Sequence, residues 1–264
     1  DGYYACLDYF IAELDQSANE IILQDFSYQE QRYNKHYNGE NIIARFNPDS
    51  EFQTIISAHW DTRAWADQED LRQDRDKPVI GANDGASGVA ILLELARIMA
   101  ENPPPIGVNL VFFDGEDQGV PGVNETYCQG SRFFAKNLPI PRPDEAINLD
   151  MVGDKQLVLP IERYSLEYHP QLVRHLWDRA KEMGLDAFIG RVDYAIYDDH
   201  IPLNEIAGIP SIDLIDFKYP NSYANFWHTL NDIPENCSEE SLGQVGDLMV
   251  DYIYNREEQN RSEN

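Results

Sequence analysis

Apolar stripes and apolar runs alternate along this chain. Residues 4–14 and 86–101 place apolar side chains every three or four positions, the spacing that gives a helix one buried face. The second stripe stops before Pro103-Pro104-Pro105, where a helix breaks. Residues 108–113, 146–150 and 211–215 are instead short continuous apolar runs, as strands buried on both faces require. Residues 41–46 and 53–58 also predict strands. Two more helices are predicted, over 170–183 with Gly184 as its stop, and over 238–254 with Ser238 as N-cap and Glu239 and Glu240 in the first turn. Strands alternating with helices predict an α/β fold, a mostly parallel twisted central sheet with helices on both faces. In such sheets ligands bind beyond the carboxyl ends of the strands. The polar, aperiodic stretch 61–78 and the glycine- and proline-bearing stretch 114–130 both follow strand ends and are expected as loops over that edge.

No repeat or low-complexity linker divides the 264 residues, so 1–264 is expected to form one domain. With 20 Lys and Arg against 47 Asp and Glu, the net charge of -27 argues against binding nucleic acid or an anionic membrane surface, both of which select basic residues. The apolar stretch 89–100 contains Glu94 and Arg97 and is too short to span a bilayer. Cys6, Cys128 and Cys237 make neither a disulfide framework nor a metal-type C-x-x-C; one pair would leave one free thiol.

Five short segments change the picture, because each puts a metal-ligand side chain where a strand should end. His59 stands two residues before Asp61, a carboxylate close enough to orient the imidazole or a neighbouring ligand. Asp84 lies between glycines just before the predicted helix, where it reads as ligand or as N-cap. Glu116 and Asp117 follow a buried strand; one side chain can bind metal while the other, desolvated, handles protons, although the pair also reads as a charged turn. Asp150 closes an apolar strand, where a bare carboxylate needs a partner. His228 sits among Phe226, Trp227 and Thr229, a pocket wall or a core aromatic cluster. Nitrogen and carboxylate oxygen together suit zinc, and a catalytic zinc keeps a position open for water or substrate.

In order and spacing, HWD, GANDGASG, FFDGED, NLDMVGD, DDHIP, GIPSIDLID and FWHT resemble the zinc-dependent aminopeptidases. Within that clan they are most similar to the animal-type glutaminyl cyclases and their bacterial relatives, from about residue 41 to the last helix. The resemblance implies a zinc-dependent catalytic domain in which Asp84, Asp117 and His228 hold the metal and Glu116 is the general acid/base. His59 and Asp150 take the positions that hold a second zinc in two-metal aminopeptidases. Asp198 takes the place of the cyclase residue that hydrogen-bonds near the substrate amide, where many aminopeptidases have Ser; Asp213 is a further candidate for holding the transition state. Trp227 takes the place of the tryptophan that packs on the substrate glutamine, with Asp150 also on the substrate side. Departures from the animal pattern are Asp213 where those enzymes carry a histidine, Asp117 where they carry a glutamate ligand, and Ala58 before His59, which removes their cysteine pair.

The implied activity is that of a glutaminyl-peptide cyclotransferase, converting the N-terminal glutamine of peptides to pyroglutamate with release of ammonia and using one zinc. The alternative is a two-zinc aminopeptidase hydrolysing N-terminal residues. Either implies peptide or protein substrates with a free N-terminus, no nucleic acid or membrane partner, and a periplasmic or secreted location. The chain opens at Asp1 without methionine, so a missing signal peptide does not bear on that location. Arg63, Trp65 and Asp67 read equally as pocket wall and as solvated loop.

Overall fold

The computed structural model describes residues 2–262, with side chains to Arg256. The order of elements is α1 (Gly2–Leu14), β1 (Glu20–Glu30), β2 (Lys35–Phe46), β3 (Gln53–His59), α2 (Ala86–Glu101), β4 (Gly107–Phe113), α3 (Gln129–Lys136), β5 (Glu145–Asp150), β6 (Leu159–Ile161), α4 (Arg163–Tyr168), α5 (Pro170–Met183), β7 (Phe188–Val192), α6 (His200–Pro202), β8 (Ser211–Ile215) and α7 (Glu239–Ser262). The central sheet has the order β1-β2-β4-β3-β5-β8. β4, β3, β5 and β8 are parallel, and the β1–β2 hairpin is added antiparallel at one edge. A separate short parallel pair joins β6 and β7.

The apolar runs work as a two-sided sheet demands, because alternate side chains of a strand point to opposite faces. On β4, Val108, Leu110 and Phe112 enter the larger core, where Phe10 of α1, Leu92 of α2, Leu176 of α5 and Leu248 of α7 meet them. Val111 and Phe113 enter a smaller core with Ile55, Phe134 of α3 and Leu203. On this second face, apolar side chains give way to polar ones toward the carboxyl ends of the strands. Ser57, Asn148 and Asp213 stand side by side in one register row across β3, β5 and β8, and all three are buried.

One close approach carries α2 to that edge. A Cβ on Gly88 would lie 2.4 Å from the Leu149 carbonyl and 2.7 Å from the Ala58 Cβ, so only glycine lets the first turn of α2 rest directly on β3 and β5. The turn that precedes the helix, with Asp84, is thereby pressed against the strand ends.

The opposite end of β5 is tied down by charge. Glu145, 3% exposed, accepts hydrogen bonds from Tyr252 Oη at 2.6 Å and from Arg256 Nε and Nη2 at 2.9 and 3.0 Å. His169 Nε2 lies 2.9 Å from its other side. Burial disfavours the carboxylate, but His169, Arg256 and Tyr252 outweigh it and hold Glu145 down at about 2.

The predicted strands and helices are all present. β2 begins at Lys35, six residues before the predicted strand, and pairs from Lys35 to Arg45 with β1, which the apolar pattern did not predict. Residues 129–136 of the expected loop and its continuation form α3. The three cysteines are all unpaired. Among the described residues no helix is long and apolar enough to cross a membrane.

Candidate metal centre

His59 is the last residue of β3 and Asp150 the last of β5. Asp84 comes from the turn before α2, Glu116 and Asp117 from the turn after β4, and His228 from the connection between β8 and α7. The fold brings them together as two groups of three, His59, Asp84 and Asp150, and Asp84, Asp117 and His228, each with ligand atoms within 4.8 Å of one another. Asp84 belongs to both. Its Oδ1 lies 3.1 Å from His59 Nε2, and its Oδ2 lies 3.6 Å from His228 Nε2. His228 Nε2 is 2.8 Å from Asp117 Oδ1.

The N-cap reading of Asp84 falls away. Gly85, at φ 99°, precedes the first turn of α2, and no side chain caps it. The Asp84 side chain is instead aimed at the two histidines, while the Asn83 and Asp84 N–H groups donate to Asp232 Oδ1 and Oδ2 at 2.7 and 3.2 Å. Asp61 braces the other turn in the same way. Its carboxylate accepts from the N–H groups of Glu116 and Asp117 at 3.0 and 3.1 Å and from Gln118 Nε2 at 3.0 Å. The two carboxylates after β4 are therefore aimed by a third, from the first motif, and do not form a free surface turn.

The second group fits zinc. Asp84 Oδ2, Asp117 Oδ2 and His228 Nε2 are buried without a hydrogen-bond partner, a costly state for polar atoms that nothing coordinates. Zinc bonds of about 2.0–2.2 Å in tetrahedral geometry separate ligand atoms by roughly 3.3 Å, and the observed 2.8 and 3.6 Å separations bracket that distance. In the first group, His59 Nε2 and Asp150 Oδ1 lie 3.3 Å apart and hydrogen-bond each other.

Around these ligands lies a cavity of about 320 Å3, near the lower end for small-ligand sites. Glu116, Asp150, Asp198, Tyr127, Phe217 and Trp227 are among its walls. Trp227 stacks on the His228 ring with centroids 3.7 Å apart and packs against Phe217 at 5.0 Å. Burial pushes the Glu116 carboxyl well above its ordinary range, and the Asp198 and Asp117 carboxylates push it the same way. Burial, then Asp150, raises Asp198 to about 6. Two acids that both resist ionisation thus share one pocket.

Asp213 stands off the cavity. It is fully buried and does not line the cavity. It stands behind Asn148, whose Nδ2 donates to Asp198 Oδ2 at 2.9 Å and to Asp213 Oδ1 at 3.3 Å, while Ser57 Oγ donates to Asn148 Oδ1 at 2.8 Å. The strand register that aligns Ser57, Asn148 and Asp213 explains this placement. Asp213 is linked to Asp198, on the cavity wall, through Asn148.

Several residues of the site were not singled out in the sequence. Cys128 is buried before α3 and donates its thiol to Glu116 Oε1 at 3.3 Å. Asn148 and Asp232 were equally silent. Arg63 and Asp67, left open above, are part of the site: the Arg63 side chain is wholly buried, and Asp67 Oδ1 lies 3.4 Å from His228 Nδ1. Burial opposes ionisation of Asp67, but the His228 ring beside it and the hydrogen bonds from Arg63 prevail and keep its carboxyl far below the usual range. The signal available for this pair was an Arg and an Asp four residues apart with a tryptophan between them. Backbone strain marks the site as well. Cys128, Met151 and His228 have φ of 57°, 47° and 56°, a left-handed conformation that side chains with a Cβ disfavour.

Comparison with known proteins agrees with this geometry. The sequence pattern of peptidase family M28 matches residues 41–253. A glutaminyl-peptide cyclotransferase of Boiga dendrophila is 25% identical over 246 residues, covering 81% of this chain and 64% of that protein; the chain therefore spans less than two thirds of the length of this relative. Among solved structures, a Tannerella forsythia glutaminyl cyclase superposes with a TM-score of 0.91 at 35% identity, over 96% of this chain and 90% of that one. A Zn-dependent exopeptidase of Parabacteroides distasonis superposes with a TM-score of 0.91 at 34% identity, over the same shares.

Proposed function

The chain belongs to peptidase family M28, and from that premise we propose that it is a zinc-dependent glutaminyl-peptide cyclotransferase, closing the N-terminal glutamine of a peptide to pyroglutamate and releasing ammonia. The observation that carries this reading is the contrast between the two ligand groups. Asp84, Asp117 and His228 hold buried ligand atoms without partners, whereas His59 and Asp150 satisfy each other. That contrast supports one zinc. One zinc serves a reaction whose nucleophile is the substrate's own amine, while a peptidase must also produce a nucleophilic water. The likeness to the Tannerella forsythia glutaminyl cyclase supports the same choice.

Zinc held by Asp84, Asp117 and His228 would act as a Lewis acid on the γ-carboxamide oxygen and make the γ-carbon electrophilic. Glu116 takes the proton released by the α-amine nitrogen as that nitrogen bonds to the γ-carbon. The same carboxyl then returns the proton to the departing amide nitrogen, which leaves as ammonia. Burial and the nearby carboxylates raise the proton affinity of Glu116, which suits a group that must both accept and donate. Asp198 accepts a hydrogen bond from the amide N–H, held for that by Asn148. Trp227 and Phe217 give the cavity an apolar wall beside His228 against which the substrate side chain can pack. The substrates are peptides or proteins with a free N-terminus, met in the periplasm or outside the cell. Nucleic acid and anionic membranes are not among the partners, in keeping with the net charge of -27.

One observation favours a second reading. Asp84 offers one oxygen to each ligand group, as a carboxylate shared by two zinc ions would in an aminopeptidase whose Glu116 deprotonates a water. Mass spectrometry of a Gln-initiated peptide incubated with zinc-loaded protein separates the two. An intact peptide lighter by one ammonia is expected, and Glu116→Gln abolishes its formation while zinc still binds. Release of free glutamine and a shortened peptide overturns the cyclase reading in favour of the two-zinc peptidase.

A further inference from the structure

The loop 61–78 has the composition of a solvated segment, yet Arg63 inside it is among the largest fully buried side chains. A buried guanidinium demands partners for its donors. Nε and Nη2 form a two-pronged contact with Asp67, at 3.2 Å to Oδ1 and 2.8 Å to Oδ2. Nη1 donates to the carbonyls of Asp117 and Gly119 at 2.5 and 2.9 Å. Trp65 is sandwiched between Arg63 and Arg32, whose guanidinium carbons lie 4.6 and 4.8 Å from its ring, and Arg32 is tied to Asp76 on the same loop at 2.8 Å. The loop is also stitched to the stretch that carries His228: Gln68 N donates to the His228 carbonyl at 3.2 Å, and Leu230 N to Glu69 Oε1 at 2.8 Å.

Asp67 turns its Oδ1 toward His228 Nδ1, while Nε2 of the same ring faces Asp84 and Asp117. We propose that Arg63 and Asp67 are positioning residues for the zinc ligands: Asp67 accepts a hydrogen bond from Nδ1–H of His228, which keeps the ring proton there and leaves Nε2 bare for the metal, and Arg63 fixes Asp67 while tethering the turn that carries Asp117. This rests on the zinc reading of the preceding subsection. A neutral imidazole carries its proton on one nitrogen, so the acceptor at Nδ1 decides which nitrogen can ligate. The charges suit the task. Two ligand carboxylates balance a divalent cation, and the Arg63–Asp67 pair adds none. Arginine is required here, because a lysine cannot grip Asp67 with two donors and still reach two carbonyls.

The test is zinc affinity by chelator competition, read alongside melting curves, for the wild type, Asp67→Asn, Asp67→Ala, Arg63→Lys, His228→Ala and the Asp67→Ala/His228→Ala double variant. Asp67→Ala is expected to weaken zinc binding by about 10- to 100-fold. Asp67→Asn, whose amide oxygen can still accept a hydrogen bond from Nδ1–H, should recover part of the loss, and Arg63→Lys should also weaken binding. In the double variant Asp67→Ala should add nothing to His228→Ala. A purely structural role would lower the melting temperature and leave zinc affinity intact. A folded Asp67→Ala that binds zinc within about twofold of the wild type overturns the proposal. Nitrogen-15 histidine spectra of the zinc-loaded wild type need no variant: a proton on Nδ1 of His228 supports the pair, and a proton on Nε2 overturns it. A wild type that does not bind zinc would instead overturn the metal centre itself, a result separate from any effect of Asp67.

Discussion

Replacing Glu145 by glutamine should make the stability of this protein depend on pH in a predictable way. The carboxyl falls from an ordinary 4.5 to about 2 in the fold, equivalent to ~3 kcal/mol of preference for the charged form. Removing one partner of a buried pair costs about 3–5 kcal/mol by general experience, so the two routes agree. Because the folded value is the lower one, the stabilisation is complete above the unfolded value near 4.5 and is lost as pH falls through 4.5 toward 2. Urea unfolding of wild type and Glu145→Gln, run at pH 7, 5, 4 and 3, should therefore give a difference of ~3 kcal/mol at pH 7 that shrinks steadily below pH 4.5. Acids raised by burial, such as Asp216 and Asp232, each at about 7, act in the opposite sense, since they bind protons more tightly when folded and favour the fold as pH drops. They are common to both proteins and cancel in the difference. A difference below ~1 kcal/mol at pH 7, or one that stays constant to pH 3, refutes the claim that Arg256, His169 and Tyr252 stabilise a charged Glu145.

Cys128→Ala removes the thiol that holds Glu116, worth ~1 kcal/mol, so kcat should fall about fivefold with KM unchanged, and Cys128→Ser, still a donor, should restore most of it. Steady-state kinetics on a Gln-initiated peptide check this. Gly88→Ala forces a Cβ to within 2.4 Å of the Leu149 carbonyl. It should cost about 1–3 kcal/mol, at roughly 2–4 °C of melting temperature per kcal/mol, read by thermal unfolding. Stripping zinc with a chelator should lower the melting temperature, and metal analysis after reloading should return one zinc per chain under the cyclase reading and two under the peptidase reading.

The parts of this molecule that the sequence makes legible are those with one dominant cause. β4, β5 and β8 are buried on both faces, so every residue of the run is apolar or paired, and α2 carries a stripe closed by three prolines. The ligands at the strand ends were equally readable, because His59, Asp84, Asp117, Asp150 and His228 interrupt apolar or glycine-rich surroundings. β1 was not, since Leu23 is exposed while Gln24 is buried, which blurs the alternation that marks a strand. Arg63 and Asp67 were hidden for another reason. Charged residues in a loop look solvated until a partner from elsewhere in the chain is known, and theirs are carbonyls near Asp117 and the ring of His228, more than fifty and one hundred and sixty positions away. Asp213 shows the reverse: the sequence groups it with the substrate-side residues, and the register that aligns it with Ser57 and Asn148 sets it behind Asn148, off the cavity lining.

Cys128, Met151 and His228 share a backbone conformation that costs a residue with a Cβ about 1–2 kcal/mol each. Together they hold back a few kcal/mol from a folding free energy of the usual 5–15 kcal/mol. All three sit beside the cavity, so the region that performs chemistry is also where the chain has most to gain by letting go. Anything that settles into the cavity, whether ion, substrate or inhibitor, therefore acts as a preservative for the whole molecule.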